Sequence, residues 1–345
     1  MAQPFDATKL ETTGEAIPVA ERVPTFTSPS RLAGFTVSAT GLLAYTTGAA
    51  GGQSRLVWKD RQGKVLGNLG EPTATITHVE LSPDQKSAAV ATQAAGVDIW
   101  VYDLVRGIPT KFTFDPKGDS QPVWSPDGRW IYFRSDRKGS PNIFRKASNG
   151  SGSDELMFED PRAALPNGVS PDGKFLLLTR SGEKTSNDLW YLPVGQSPDG
   201  GKVEPKVFLQ TPFGESNGRF SPDGQWVAYQ SIESGQPQVY AAPFPGAVGK
   251  RLISTSGGTL ARWSKNGKEI FYVSPEGQLM AAEVSVRNGT LEVGQVRKLL
   301  DGIVSRGIPY DVSADGQKFL VVDDGTAVAA PPLTLVQNWP GAMRK

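Results

Sequence analysis

The chain has no cysteine in its 345 residues and a single histidine, His78. Without thiols there is no disulfide framework and no thiolate metal site, and cysteine says nothing about the redox compartment. One imidazole does not build a multi-histidine metal centre, and no DxDxDG-like calcium loop is present, so no metal and no other cofactor is expected. No apolar run approaches membrane-spanning length, and the first ten residues lack both the basic start and the apolar stretch of a secretory leader. As written, the sequence reads as a soluble chain without an address. Lys plus Arg number 36 against 35 Asp plus Glu, and no basic cluster interleaved with aromatics stands out, so nucleic acid is not an expected partner.

What the chain has in quantity is turn residues, with 39 glycines and 27 prolines beside 38% hydrophobic residues. That mix suits many short strands and leaves little room for helices. The turns are organised. Ser125-Pro126-Asp127-Gly128, Ser170-Pro171-Asp172-Gly173 and Ser221-Pro222-Asp223-Gly224 are clean copies of one phrase. Worn copies begin at Ser38, Ser82, Ser264 and Ser313, with Gln85 in place of the glycine and Lys265 in place of the proline. From Ser38 the steps are 44, 43, 45, 51, 43 and 49 residues, the interval of a four-stranded propeller blade.

Each copy reads as a hairpin turn: Pro presets φ, Asp bonds its own backbone, and Gly accepts positive φ. An apolar residue ends the strand before it (Leu81, Trp124, Val169, Phe220, Trp263, Val312). A β-rich second strand follows, such as Trp130 to Phe133 or Phe319 to Val322. A third strand carries an aromatic at one register (Trp58, Trp100, Phe144, Trp190, Tyr240), and a short fourth, such as Lys206 to Leu209, makes an outer edge whose Lys and Arg discourage pairing with other chains. The common register of Trp58, Trp100, Trp124, Trp130, Trp190, Trp226, Trp263 and Tyr240 marks them as core filling between blades.

This repeat resembles the TolB-like, WD40-related propeller unit, from about Gly34 to Trp339. The expected fold is all-β: a β-propeller of four-stranded antiparallel blades, seven in number with six or eight as the neighbouring counts, in one domain over 1–345. Residues 34–322 form the repeat units in this reading, and 1–33 and 323–345 form a closing blade and tail. Gln278 to Gly294 aligns with Met1 to Gly14, so the chain starts inside a blade. Two readings stay open. Strands near Met1 to Phe5 and Ile17 to Glu21 join those near Phe319 to Val322 and Leu333 to Trp339 in a composite blade, or the chain is a piece of a longer parent. Ser197-Pro198-Asp199-Gly200 is a decoy, since it follows a third strand and precedes no inner one.

Few residues point to chemistry. Gly214-Glu215-Ser216-Asn217-Gly218 matches the GxSxG nucleophile elbow, but the first strand of a blade follows it rather than a helix, and the lone histidine precedes the serine. His78, near the entry of an inner strand, reads as a turn-stabilising residue rather than a catalyst. Asp84, Asp127, Asp172, Asp223 and Asp315 recur in every blade, as a turn requires and a catalytic pair does not. Asp115 and Asp119 hold an ion only by chance. No catalytic residue and no enzyme activity is expected.

The position two before each motif serine behaves differently, being occupied by Thr36, Glu80, Val123, Gly168, Arg219, Arg262 and Asp311. A purely structural position would repeat its residue. Since inner strands line the central channel, Glu80, Arg219, Arg262 and Asp311 are the candidate binding residues, a mixed-charge mouth for a peptide terminus or small anion. The competing reading is an ion-pair network that braces the ring.

Phe112-Thr113-Phe114-Asp115, Leu209 to Phe213 and Pro332 to Trp339 look like the C-terminal propeller of bacterial membrane-anchored serine/threonine kinases. The resemblance implies a sensing or docking part, extracytoplasmic in such a parent. The chain itself carries no glycine-rich phosphate loop and no HRD or DFG signature. The expectation is a monomeric, non-catalytic module that binds a protein or small ligand. The alternatives are an accessory propeller of a prolyl-oligopeptidase-like system and a remnant of a longer kinase.

Overall fold

A computed structural model describes residues 3, 5–6, 8–16, 35–38, 40–46, 53–94, 96–182, 185–194, 203–303, 307–324 and 333–337. They divide into two compact units, one of residues 53–324 and one of 1–52 with 325–345. Among the described residues there is no helix.

The larger unit contains six four-stranded sheets, all antiparallel. Blade 1 runs Thr75–Leu81, Ser87–Gln93, Val97–Asp103 and Pro109–Lys111 from the inner strand outward. Blades 2 to 5 repeat that order, with inner strands Asp119–Trp124, Ala164–Val169, Glu215–Phe220 and Thr259–Trp263. Blade 6 is composite: Tyr310–Val312 and Lys318–Asp323 supply its inner half, and Ser54–Asp60 and Val65–Thr73 its outer half.

The punctuation works as hairpin chemistry. In every copy of this unit the serine Oγ donates to the side chain two residues on, as in Ser125 to Asp127 (2.6 Å) and Ser264 to Asn266 (2.8 Å). The same Oγ accepts the amide five residues on, as from Trp130 (2.9 Å). That serine bond, helped by the Arg129 amide, holds the Asp127 carboxyl down to about 2, and the equivalent bonds lower Asp84, Asp172 and Asp315. The turn carboxylates are therefore spent on the backbone.

Six apolar clusters hold the unit together, and each spans one pair of neighbouring blades. One joins Leu56, Leu320 and Val322 of blade 6 to Ile76, Val79 and Val90 of blade 1, so the ring is closed. With each fully buried side chain worth roughly 1.5–3 kcal/mol, the wedges between blades carry the stability. Apart from that seam, Tyr310 Oη donates to the Leu260 carbonyl at 2.7 Å, tying blade 6 to blade 5.

A composite blade of N- and C-terminal strands forms as expected, but not with all the strands expected. Phe319 to Val322 do lie in a composite sheet, but their partner is Ser54–Asp60, with Leu320 opposite Trp58. Among the described residues the strand Phe5–Asp6 pairs with Glu11–Thr12 alone, and Leu333–Gln337 pairs with Leu42–Thr46 beside Phe35–Val37 in a three-stranded sheet of the smaller unit. The seventh copy, at Ser38, does form its turn, with the Leu42 amide on Ser38 Oγ at 3.0 Å. It founds no four-stranded blade among the described residues. The third strand that follows it in sequence instead lies against Lys318–Asp323, which contributes Phe319, Leu320, Val321 and Val322, all fully buried. Ile17 to Glu21 and the Ser197 decoy lie outside the described residues.

Candidate functional site

The inner strands of blades 2 to 5 slip register immediately before the variable position, between Ser120 and Val123, Pro166 and Gly168, Ser216 and Arg219, and Thr259 and Arg262, and that of blade 1 slips two residues earlier, between Ile76 and His78. Three of these bulges hold a non-glycine residue at positive φ: Gln121 at 52°, Asn217 at 54° and Leu260 at 58°. A bulge re-aims the side chains that follow it, and such backbone strain gathers at sites that need a fixed direction.

The four candidate residues, from four different blades, meet in one cluster. Arg219 Nη1 lies 2.9 Å from Glu80 Oε2, and Arg262 Nη2 lies 3.5 Å from the same oxygen. Arg262 Nε lies 3.4 Å from Asp311 Oδ1. Asp311 also accepts the amides of Leu81 (2.7 Å) and Val312 (2.8 Å), so it pins blade 6 to blade 1. Two tryptophans fix the backbone beneath the charges: Trp124 Nε1 donates to the Glu80 carbonyl and Trp263 Nε1 to the Arg219 carbonyl, both at 3.1 Å.

Burial sets the electrostatics. It pushes the Glu80 carboxyl up, but Arg219, His78 and Arg262 outweigh it and hold the group down to about 2. Burial raises Asp311, against Arg262, and lowers the Arg219 guanidinium, helped by Arg262. His78 is lowered to about 4, because burial and the two arginines outweigh the pull of Glu80. Arg219 Nη2 and Arg262 Nε and Nη2 are buried without a hydrogen-bond partner. Such donors are costly to leave unmet.

Above the cluster opens a cavity of about 410 Å³, lined by one repeat position after another. Leu81, Trp124, Val169, Phe220, Trp263 and Val312 form one tier, and Pro83, Pro126, Pro171, Pro222, Lys265 and Ala314 form the rim. The worn copies thereby acquire meaning. Lys265 is the one charge among the six rim positions. Gln85, at φ 59°, accepts the Ala314 amide with Oε1 at 3.0 Å and latches the turns of blades 1 and 6 together.

The four charged residues stand out in the sequence as breaks in a repeat, whereas Trp124 and Trp263, which the sequence alone reads as core filling, and Lys265 and Gln85, which it reads as worn turn positions, join the site only in the structure. Their signal was present, since each breaks or decorates a repeat position adjoining the variable one. One further expectation is corrected. His78 lies inside the strand Thr75–Leu81 and not at a turn; it is buried, with Nε2 3.9 Å from Glu80 Oε2 and without a hydrogen-bond partner among the described residues, on a strand that meets Ile308. Asp115 and Asp119 face a guanidinium, Arg137, at 3.6 and 3.1 Å. Ser216 sits within the strand Glu215–Phe220, opposite Gln230, and no elbow forms.

The class these features define is a β-propeller of four-stranded antiparallel blades. Residues 40–192 match the family model of the TolB beta propeller domain. The uncharacterized protein Atu1656 of Agrobacterium fabrum (strain C58) is 33% identical over 153 residues, covering 43% of this chain and 52% of its own. The uncharacterized peptidase YuxL of Bacillus subtilis (strain 168) is 26% identical over 193 residues, covering 46% and 29%. The chain thus spans about half the length of one curated relative and under a third of the other. A solved structure, a putative TolB from Agrobacterium tumefaciens, superposes with a TM-score of 0.62 at 19% identity over 80% of this chain and 99% of its own, a likeness of fold. Among the described residues no helix is long and apolar enough to cross a membrane.

Proposed function

We propose that this chain is a non-catalytic recognition module that captures a protein segment or small ligand at the channel mouth. The observation that carries the reading is the convergence of Glu80, Arg219, Arg262 and Asp311, drawn from one non-repeating register position of four blades, beneath an open cavity with buried arginine donors unmet. A bracing network explains the ion pairs; it leaves unexplained the cavity that opens on them, lined by Trp124, Phe220 and Trp263. In a membrane-anchored kinase of the kind its sequence resembles, the mouth is the docking part.

The test is a thermal-shift screen of carboxylates, phosphates and short peptides. A ligand at a hundred times its Kd adds about 2.7 kcal/mol to the folded state. Stabilisation by at least one class in the parent protein, lost in Arg219→Gln, supports the reading; a flat screen refutes it. The match to part of YuxL keeps an accessory role in a hydrolase as a second reading. Turnover of ester, peptide or phosphate substrates that disappears in Ser216→Ala would establish that reading instead.

A further inference from the structure

The charge at the mouth is unevenly spread. Glu80, Arg219, Arg262, Lys265 and Asp311 come from blades 1, 4, 5 and 6, whereas blades 2 and 3 present Trp124, Pro126, Gly168, Val169 and Pro171. The variable position of blade 3 has no side chain at all, and a β-carbon built on Gly168 lies 3.8 Å from Arg219 Cδ and Nη1, so the guanidinium leans toward the apolar half. Three cations face two carboxyls around the cavity, one positive charge in excess. Asp311 is already committed to two backbone amides, and Glu80 is shared between two arginines. Lys265 is exposed and forms no ion pair among the described residues.

Resting on the recognition role just given, we infer that the mouth takes the free C-terminal carboxylate of an extended peptide whose last side chain is apolar. A monoanion neutralises the one excess charge, where a doubly charged phosphate overshoots it. Its carboxylate competes with Glu80 for the guanidinium groups of Arg219 and Arg262, which line the cavity and share that one acid. The last side chain of that same residue lies on Trp124, Val169 and the rim prolines, because charged and apolar halves adjoin. An internal Asp or Glu brings a chain on both sides of the acid into a cavity of about 410 Å³, near the small end of ligand sites. Lys265 steers the approaching carboxylate from the rim.

The experiment titrates the full chain by calorimetry with three pools of N-acetylated tetrapeptides. The first ends in Leu, Val, Phe or Trp with a free carboxylate, the second carries the same sequences as carboxamides, and the third has an internal Glu and an amidated end. The inference requires the first pool to bind at least tenfold more tightly than the other two. It also requires Lys265→Ala to weaken that binding several-fold while the melting temperature stays put, a variant chosen because Lys265 is exposed and braces nothing. Equal binding of carboxylate and carboxamide that Arg219→Gln abolishes overturns the carboxylate inference and leaves the recognition role standing. No saturable binding by any pool, together with a flat ligand screen, overturns both.

Discussion

Because His78 is the only histidine in the chain, replacing it isolates one buried group's share of the pH dependence of stability between pH 7 and pH 5. Folding lowers its pKa from 6.5 to about 4, chiefly through burial. The unfolded chain therefore binds a proton across this window that the folded chain refuses. The sign follows: stability is at its full value above pH 6.5 and drains away as the pH falls toward 4. Integrating the proton uptake of the two states from pH 7 to pH 5, at 1.36 kcal/mol per pKa unit, gives a loss of about 2 kcal/mol. Glu80 titrates near 2 and the turn aspartates lie below their ordinary range, so they contribute little there; burial raises Asp119, Glu215 and Asp311, whose proton uptake in the folded chain works against the loss and is shared by parent and variant. The assay is equilibrium urea unfolding at half-unit steps, on the parent and on His78→Gln. The parent should lose about 2 kcal/mol more than the variant between pH 7 and pH 5. A variant with the parent's slope refutes the placement of His78 as a neutral, enclosed imidazole. A proton NMR titration gives an independent check, as the single imidazole resonance should stay in its neutral position down to about pH 5.

Three further outcomes follow from the geometry. Gly307 lies at φ +60°, and a β-carbon there falls 1.8 Å from the Thr77 carbonyl oxygen at the seam between blades 6 and 1; Gly307→Ala should cost more than about 4 kcal/mol and expose the seam to limited proteolysis. Arg262→Gln leaves Glu80 and Asp311 short of a buried cation and should cost about 3–5 kcal/mol in urea unfolding; a loss under about 1 kcal/mol would mean that solvent already shares the cluster. Gln85→Ala removes the acceptor of the Ala314 amide, for an expected loss of about 1–2 kcal/mol in thermal unfolding.

The fold was legible because the information defining it is local. A turn of Ser, Pro, Asp and Gly needs only its own residues, and the serine–aspartate bond forms in the clean copies and, with Asn266, in a worn one. The charged cluster was legible for the opposite reason, since Glu80, Arg219, Arg262 and Asp311 stand where a repeat should have repeated. The choice of partner for Ser54–Asp60 was not legible. Two hairpins of the same pattern, ending at Thr46 and Asp323, precede candidate third strands, and only packing decides between them. Nor could spacing reveal bulges at Gln121, Asn217 and Leu260, where ordinary side chains adopt a conformation usually left to glycine.

The composite blade has a consequence for how the molecule is made. Ser54 Oγ meets Asp324 across 270 positions of sequence. At the roughly 5–20 residues per second of translation, the ribosome takes about 15–50 s to deliver the partner of a strand that emerged early. Through that interval Ser54–Asp60 offers a bare edge beside five blades that are already able to assemble, which is the interval in which a nascent chain most needs a chaperone or a neighbour to keep that edge occupied. Stalled translation intermediates ending near Gln317 should accordingly be cut by protease around Trp58, and those carried past Asp324 and clear of the exit tunnel should not.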